Sequence, residues 1–318
     1  MSAVDLAPFG LALGHATDRD GATGLTVLRG IDRPFRAAAA IVGRATGSRE
    51  LHAASPDHLV DRVDAILLTG GSAYGLDAAA GVMRWMEERG RGFRVGGGVV
   101  PIVPAAVLFD LGPLGRFDAR PTPDMAYAAC ERAAPLVTEQ GSVGAGTGAT
   151  VGKSLGPTRA MKGGFGCATL EAHGLRAVGL TAVNALGDVR DAAGRVIAGA
   201  RGGDEAAHPA TTFGNTTLCV VAVDAPLGRV ALAQLARAAT AALYRRITPC
   251  GTTFDGDVVF AVCPVAPSAA VEDPALAIRA EALATAALEA AIERAVREAV
   301  GRDGVPGLAD PTGTTTRS

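Results

Sequence analysis

A chain of 318 residues can hold one large domain or two ordinary ones, and its 48% apolar and 19% charged residues supply an ample core and exclude global disorder. The net charge is −2 with no basic block, so a nucleic-acid partner has no electrostatic footprint to bind. Aromatics are scarce at 4% against 42 glycines, which points to a core built by close backbone approach rather than by large rings.

Residues 11–50 read as short strands and turns, with Gly14–Asp18 and Asp20–Gly24 turn-rich and Leu25–Leu28 strand-like. His15, beside Gly14, is the most suggestive of the histidines, yet a lone histidine there is more often structural than catalytic. His52, His58, His173 and His208 lack ligand spacing, and no metal site is expected. Val63–Leu68 is a buried-strand candidate running into Thr69–Asp77, which contains Gly70, Gly71 and Tyr74, and then into a helix to about Arg89. A strand, a glycine turn and a helix start make a natural cradle for an anion or a carbonyl, because the first N–H groups of a helix are unsatisfied. The plainer alternative is a tight connection with a buried tyrosine.

Gly96–Pro104 reads as a loop and Val107–Phe109 as a short strand, and Pro123–Val137 reads as a helix. Gly141–Ser154 invites two nucleotide-binding readings, and both fail. The Walker pattern needs glycine where Thr147 stands, and the looser Gly144-x-Gly146-x-x-Ala149 pattern lacks a preceding buried strand. What remains is a loop that brings backbone close to something, ending in Lys153, which is either a pocket cation or a solvated surface lysine.

Leu175–Val183 reads as a strand ending in Asn184, whose side-chain amide either aims into a cleft or caps a turn. Residues 200–213 read as an exposed linker leading to Gly214-Asn215-Thr216-Thr217 and the apolar run Leu218–Val223. Glycine and asparagine tolerate unusual backbone angles, so Thr216 can be held with its hydroxyl against the Asn215 carbonyl carbon. That arrangement favours an N→O acyl shift followed by ester hydrolysis, leaving Thr216 as a new N-terminus. Its α-amine, of ordinary pKa about 7.7–8.0, would then serve as the base for its own hydroxyl. The same residues also suit an ordinary turn, or a glycosylation sequon that would need a secretory route.

Gly228 to Ile247 reads as a helix with Val230, Leu232, Leu235, Ala239 and Leu243 as its apolar stripe. Asp255-Gly256-Asp257 then precedes the core strand Val258–Val262, as either a proton-handling pair or a turn. The last helix starts at Asp273-Pro274 and runs to about Val300, with residues 301–318 expected as a flexible tail. Cys130, Cys167, Cys219, Cys250 and Cys263 are widely spaced with no CxxC pair, as expected of buried reduced thiols. Met1–Gly14 lacks the charged and apolar regions of a signal peptide, and no unbroken apolar stretch approaches roughly 18 residues. No membrane partner is expected, and a cytoplasmic location follows.

Four motifs occur together and in order: Gly-Gly-Ser-Ala-Tyr-Gly-Leu-Asp before a helix, Gly-Ala-Thr-Val-Gly-Lys, Gly-Asn-Thr-Thr before an apolar strand, and Asp-Gly-Asp before another. This set resembles the DmpA-like self-processing hydrolases, which include D-/L-aminopeptidases, β-peptidyl aminopeptidases and the nylon-oligomer hydrolase. The resemblance implies a four-layer α/β/β/α sandwich, like N-terminal-nucleophile hydrolases and ornithine acetyltransferases in architecture. It implies a single domain cut into 1–215 and 216–318, needing no cofactor and assembling as a homo-oligomer of processed units. The expected substrates are small peptides or amides of β- and ω-amino acids, with acetyl transfer or plain binding as alternatives.

Carried over position by position, Thr216 resembles the nucleophile and Asn215–Thr216 the cleaved bond. Asn184 resembles the oxyanion-hole asparagine, and Lys153 the lysine near the nucleophile. Asp255 and Asp257 resemble the two supporting polar residues, and Tyr74, beside Gly70 and Gly71, a pocket tyrosine. Threonine at 216 and the two aspartates depart from the aminopeptidase branch and lean toward the nylon-hydrolase branch.

Overall fold

The computed structural model of the protein describes residues 3–202, 214–265 and 273–311. Its framework is two five-stranded sheets, each covered on its outer face by a pair of helices. The first sheet contains β1 (Leu11–Asp18), β2 (Thr23–Gly30), β4 (Gly47–Arg49), β5 (Ala65–Thr69) and β6 (Ala105–Val107), in the order β1-β2-β5-β6-β4. The second contains β3 (Arg36–Ile41), β7 (Gly164–Ala172), β8 (Leu175–Asn184), β9 (Thr216–Val223) and β10 (Val258–Cys263), in the order β7-β8-β9-β10-β3. Within these sheets β5 and β6 run parallel, as do β9 and β10, and the other neighbours are antiparallel.

Three apolar clusters define the layers. Leu28, Ile66 and Leu68 of the first sheet meet Phe165, Leu180, Val220 and Phe260 of the second between the sheets. Val27 and Leu67 face α1 (Ala79–Glu87) and α2 (Pro123–Arg132). Cys219, Val221 and Val259 face α3 (Arg229–Arg246) and α4 (Pro274–Arg297). The layers are therefore α/β/β/α, as expected. Side chains alternate along a strand, so in β9 Leu218, Val220 and Ala222 enter the inter-sheet layer while Cys219, Val221 and Val223 meet the helices. With both faces covered, every residue of β9 is buried, which is why this strand is an unbroken apolar run after its two threonines.

Close backbone approach replaces large side chains where α4 crosses the second sheet. A Cβ on Gly166 would lie 2.0 Å from the carbonyl oxygen of Ala291, and one on Gly179 2.6 Å from that of Ala287. At both positions the helix backbone occupies the space a side chain would need. Asp273 caps α4 by accepting from Ala275 N–H at 2.9 Å. Glu289 of α4 pairs with both Arg245 and Arg246 at the end of α3, at 2.8 Å each.

Several boundaries differ from the sequence reading. Gly14–Asp18 belongs to β1 rather than to a turn, and Gly14 is there because a Cβ would lie 2.0 Å from Ala129 O on α2. The helix expected to reach Val137 stops at Arg132. Pro135 disfavours helical geometry just before it, and Leu136–Val137 instead pairs with Val4–Asp5. Val230 is 67% exposed, on the outward face of α3. Of the expected flexible tail, residues 301–311 are tied down: Lys162 N–H donates to Pro306 O at 2.8 Å, and Ala309 N–H to Ala299 O at 3.0 Å. Residues 312–318, and the expected linker from 203 to 213, lie outside the described residues. All five cysteines are free thiols, and Cys250 alone is only half-buried. Among the described residues no helix is long and apolar enough to cross a membrane.

Replacing Gly166 by alanine forces α4 away from the sheet and should destabilise the protein by about 1–3 kcal/mol, the usual cost of overpacking. Denaturant unfolding of the Gly166→Ala variant measures this, and an unchanged midpoint would contradict the close approach.

Candidate active site

Thr216 is the first residue of β9, paired with Asn184 at the end of β8. On the other side the chain runs beside Asp255, to which Asn215 is joined by an isolated parallel bridge that extends the β9–β10 pairing upstream. Gly214 enters this corner with φ +122°, a region glycine adopts without strain, and a Cβ there would meet the Phe109 ring at 2.8 Å. Asn215 is not among the residues with positive φ, so the bend is made by glycine alone.

The Thr216 hydroxyl donates to the Asn215 carbonyl oxygen at 2.6 Å. That oxygen also accepts the Gly256 N–H at 3.0 Å. The peptide bond preceding the threonine is thus gripped from the nucleophile's side and from the β10 side together.

Behind it lies a dense polar cluster. Lys153 Nζ donates to Asn184 Oδ1 at 3.0 Å, Asn184 O at 3.2 Å and Gly214 O at 3.0 Å, using all three of its donors. Asn184 Oδ1 also accepts the Thr150 N–H at 3.0 Å, and Asn184 Nδ2 donates to Phe109 O at 2.9 Å and Gly214 O at 3.1 Å. Asp257 accepts the Thr217 N–H at 2.5 Å and the Cys250 thiol at 3.3 Å. Asp255 accepts the Thr252 N–H at 2.7 Å.

Burial decides the protonation of this cluster. It lowers the Lys153 ammonium to about 7, against the opposing pull of Asp255 and Asp257. It raises the Asp257 carboxyl to about 7, reinforced by the negative charge of Asp255. Burial thus pushes both Lys153 and Asp257 toward their uncharged forms. Lys153 is therefore buried behind the Gly214 carbonyl and is neither a surface lysine nor part of the cavity lining.

A cavity of about 330 Å³ opens at Thr216, at the edge of the inter-sheet layer. Val107, Leu108 and Phe109 form one wall, Ala45 and Thr46 another, and Phe254 a third; the described lining holds no charged side chain. From the glycine turn it takes Ser72 and Ala73 rather than Gly70, Gly71 or Tyr74. Tyr74 is 53% exposed, with the Arg120 guanidinium 3.4 Å above its ring and Phe117 at its edge. Gly71 N–H donates to Asp110 Oδ1 at 2.7 Å, so the anion in the expected cradle is the protein's own carboxylate.

Burial raises Asp110 to about 6, and Thr23 also donates to it at 2.7 Å. Across the loop 144–149, Lys162 donates to Gly146 O, Ala149 O and Gly163 O, and burial lowers it to about 7. This second buried lysine is what the glycine-rich loop approaches, and nothing around Lys162 in the sequence marks it out. Cys250, Gly256 and Phe254 also escaped the sequence reading, because each acts through a backbone atom, a single bond or the cavity wall. His15 lies elsewhere, bonded to Thr26 Oγ1 at 2.9 Å and lowered to about 4 by burial, hence a neutral structural side chain at neutral pH.

Against known proteins, the family model of peptidase family S58 matches residues 5–307. A protein named an uncharacterized aminopeptidase, from Mycobacterium tuberculosis, is 43% identical over 240 residues, covering 69% of this chain and 67% of its own. The 6-aminohexanoate-oligomer endohydrolase of Agromyces sp. is 33% identical over 274 residues, covering 80% of this chain and 72% of its own. Among solved structures, the L-aminopeptidase D-Ala-esterase/amidase of Ochrobactrum anthropi, described as a new variant among the Ntn hydrolase fold, aligns with a TM-score of 0.73 at 20% identity, over 93% of this chain and 86% of its own. A Burkholderia sp. beta-aminopeptidase aligns with a TM-score of 0.69 at 20% identity, over 94% and 88%. The four layers thus follow the Ntn-hydrolase architecture, and by a family match spanning nearly its whole length the chain belongs to peptidase family S58 and is a hydrolase.

Proposed function

We propose that this hydrolase activates itself by cutting the Asn215–Thr216 bond and then uses Thr216 as an N-terminal nucleophile on small amides. The observation that carries the proposal is the 2.6 Å approach of the Thr216 hydroxyl to the carbonyl oxygen of its own upstream peptide. In the first reaction Thr216 Oγ1 attacks the Asn215 carbonyl carbon, the C–N bond breaks, and the hydroxyl proton ends on the Thr216 nitrogen. Water then hydrolyses the ester, returning the hydroxyl to Thr216 and leaving Asn215 with a carboxylate. In the second reaction the new α-amine takes the hydroxyl proton, an acyl–Thr216 ester forms, the amine product leaves, and water releases the acid.

Asn184 supplies an oxyanion donor in turnover, while Lys153, Asp255 and Asp257 hold and tune the α-amine. The cavity wall of Val107, Leu108, Phe109 and Phe254 suits an aliphatic acyl chain. Identity of 33% to a 6-aminohexanoate-oligomer endohydrolase favours the same substrate class.

Mass spectrometry of the purified protein should find a fragment beginning Thr-Thr-Leu-Cys, and Thr216→Ala should remain a single chain without amidase activity. Active wild-type protein that stays whole would sink the proposal.

Self-cleavage should accelerate as pH rises through about 7. Below that value Lys153 is an ammonium and Asp257 a neutral acid; above it both have lost protons, which makes the cluster behind Thr216 more basic. Cleavage rates of freshly refolded precursor measured across this range test the sign, and a rate that falls with rising pH would contradict it.

A further inference from the structure

The carbonyl oxygens of Gly214 and Asn215, one residue apart, are held by different donors. Asn215 O accepts the Gly256 N–H at 3.0 Å together with the Thr216 hydroxyl at 2.6 Å. Gly214 O takes Lys153 Nζ at 3.0 Å and Asn184 Nδ2 at 3.1 Å. The second N–H of that Asn184 amide goes to Phe109 O at 2.9 Å, so both of its hydrogens are committed in the uncut chain.

We infer that self-cleavage and substrate turnover use separate oxyanion donors: the Gly256 amide serves the first, and Asn184 with Lys153 serves the second once the Gly214 carbonyl has left them. The inference rests on the self-processing reading above and specifies how its two reactions divide the site.

As Thr216 Oγ1 bonds to the Asn215 carbonyl carbon, negative charge gathers on Asn215 O, where the Gly256 N–H already stands. The donor is fixed in advance. Asn215 bridges Asp255, whose own carbonyl is held by the Arg44 and Ala45 N–H groups at 3.0 and 2.9 Å. A donor placed before the reaction costs no reorganisation when the charge forms. A side chain at 256 would spoil the arrangement, because its Cβ would lie 2.6 Å from Ala45 O and 2.8 Å from Thr216 Oγ1. Asn184, by contrast, is aimed one peptide upstream of the bond to be cut.

After cleavage the new end carries Gly214 and Asn215. While it stays, the Gly214 carbonyl fills the donor pair that a substrate carbonyl needs and acts as a built-in competitor. Its withdrawal frees Asn184 Nδ2 and Lys153 Nζ together.

Asn184→Asp is the sharpest variant, because a carboxylate keeps the acceptor bonds from Thr150 and Lys153 and loses the two amide donors. It should lower turnover of p-nitroanilide amides of β-amino acids, per processed site, by roughly 10²–10³-fold. Precursor self-cleavage, followed by mass spectrometry, should slow by less than about tenfold, since removing Asn184 takes no donor from Asn215 O. Asn184→Ala, with thermal unfolding to confirm the fold, should give the same split.

The converse test replaces the Asp255–Gly256 amide by an ester in the full-length chain assembled by ligation. Self-cleavage should then fall roughly 10²-fold or more, a clearly larger loss than turnover shows per processed site. Folded Asn184 variants that cut as slowly as they turn over, or an ester chain that cuts at the wild-type rate, would overturn the division of donors while leaving self-processing intact. A wild-type chain that never yields a fragment starting at Thr216 fails the underlying reading, and this inference with it.

Discussion

The backbone from Gly214 to Thr216 is clamped by hydrogen bonds on every carbonyl it presents to the site, and the remaining geometry follows from that clamp. Lys153 and Asn184 hold the Gly214 carbonyl, and Gly256 N–H holds that of Asn215. Asp257 holds the Thr217 amide from beneath. With the peptide fixed on both sides, the threonine hydroxyl has little freedom except against its own upstream carbonyl. The arrangement gains its force from dryness. In a low-dielectric site a hydrogen bond is stronger than in water, and a missing partner is correspondingly costly.

Dryness also sets the protonation. Taking an ion out of water costs several kcal/mol even after relaxation. Lys153, Asp257, Asp110 and Lys162 all respond by shifting toward neutrality. The two buried lysines meet this cost in the same way, each directing its ammonium donors at backbone or side-chain oxygens. They differ in position. Lys153 faces the Gly214 carbonyl, whereas Lys162 ties the loop 144–149 to Gly163 and to the segment near Pro306.

Such a site needs a rigid support, and the four layers provide one with small residues. Glycines of β7 and β8 under α4 bring helix and sheet backbones into contact, leaving these strands little room to shift against the helix. β9 and β10 run parallel, so both enter the core from the same end. That places Thr216 and the Asp255–Asp257 corner side by side, at the open edge of the inter-sheet layer. The cavity forms there because the apolar packing between the sheets ends there.

Much of this was legible in the residues themselves. The apolar run after Thr216 requires cover on both faces, the glycine and alanine content foretells close backbone packing, and Pro274 after Asp273 marks a helix start. The motifs, taken together, named the family and the residues Thr216, Asn184, Lys153, Asp255 and Asp257. Tertiary structure alone decided what each of them touches. Lys153 became a buried donor because β8 brings Asn184 over it, and Asn184 faces Gly214 O rather than Asn215 O because of the register between β8 and β9. The Gly256 amide and the Lys162 ammonium carry no local signature, since a backbone N–H looks the same at every position and a lysine's burial depends on segments far from it in the chain. Spacing along a sequence specifies which groups are available; register between strands and the exclusion of water determine which of them meet.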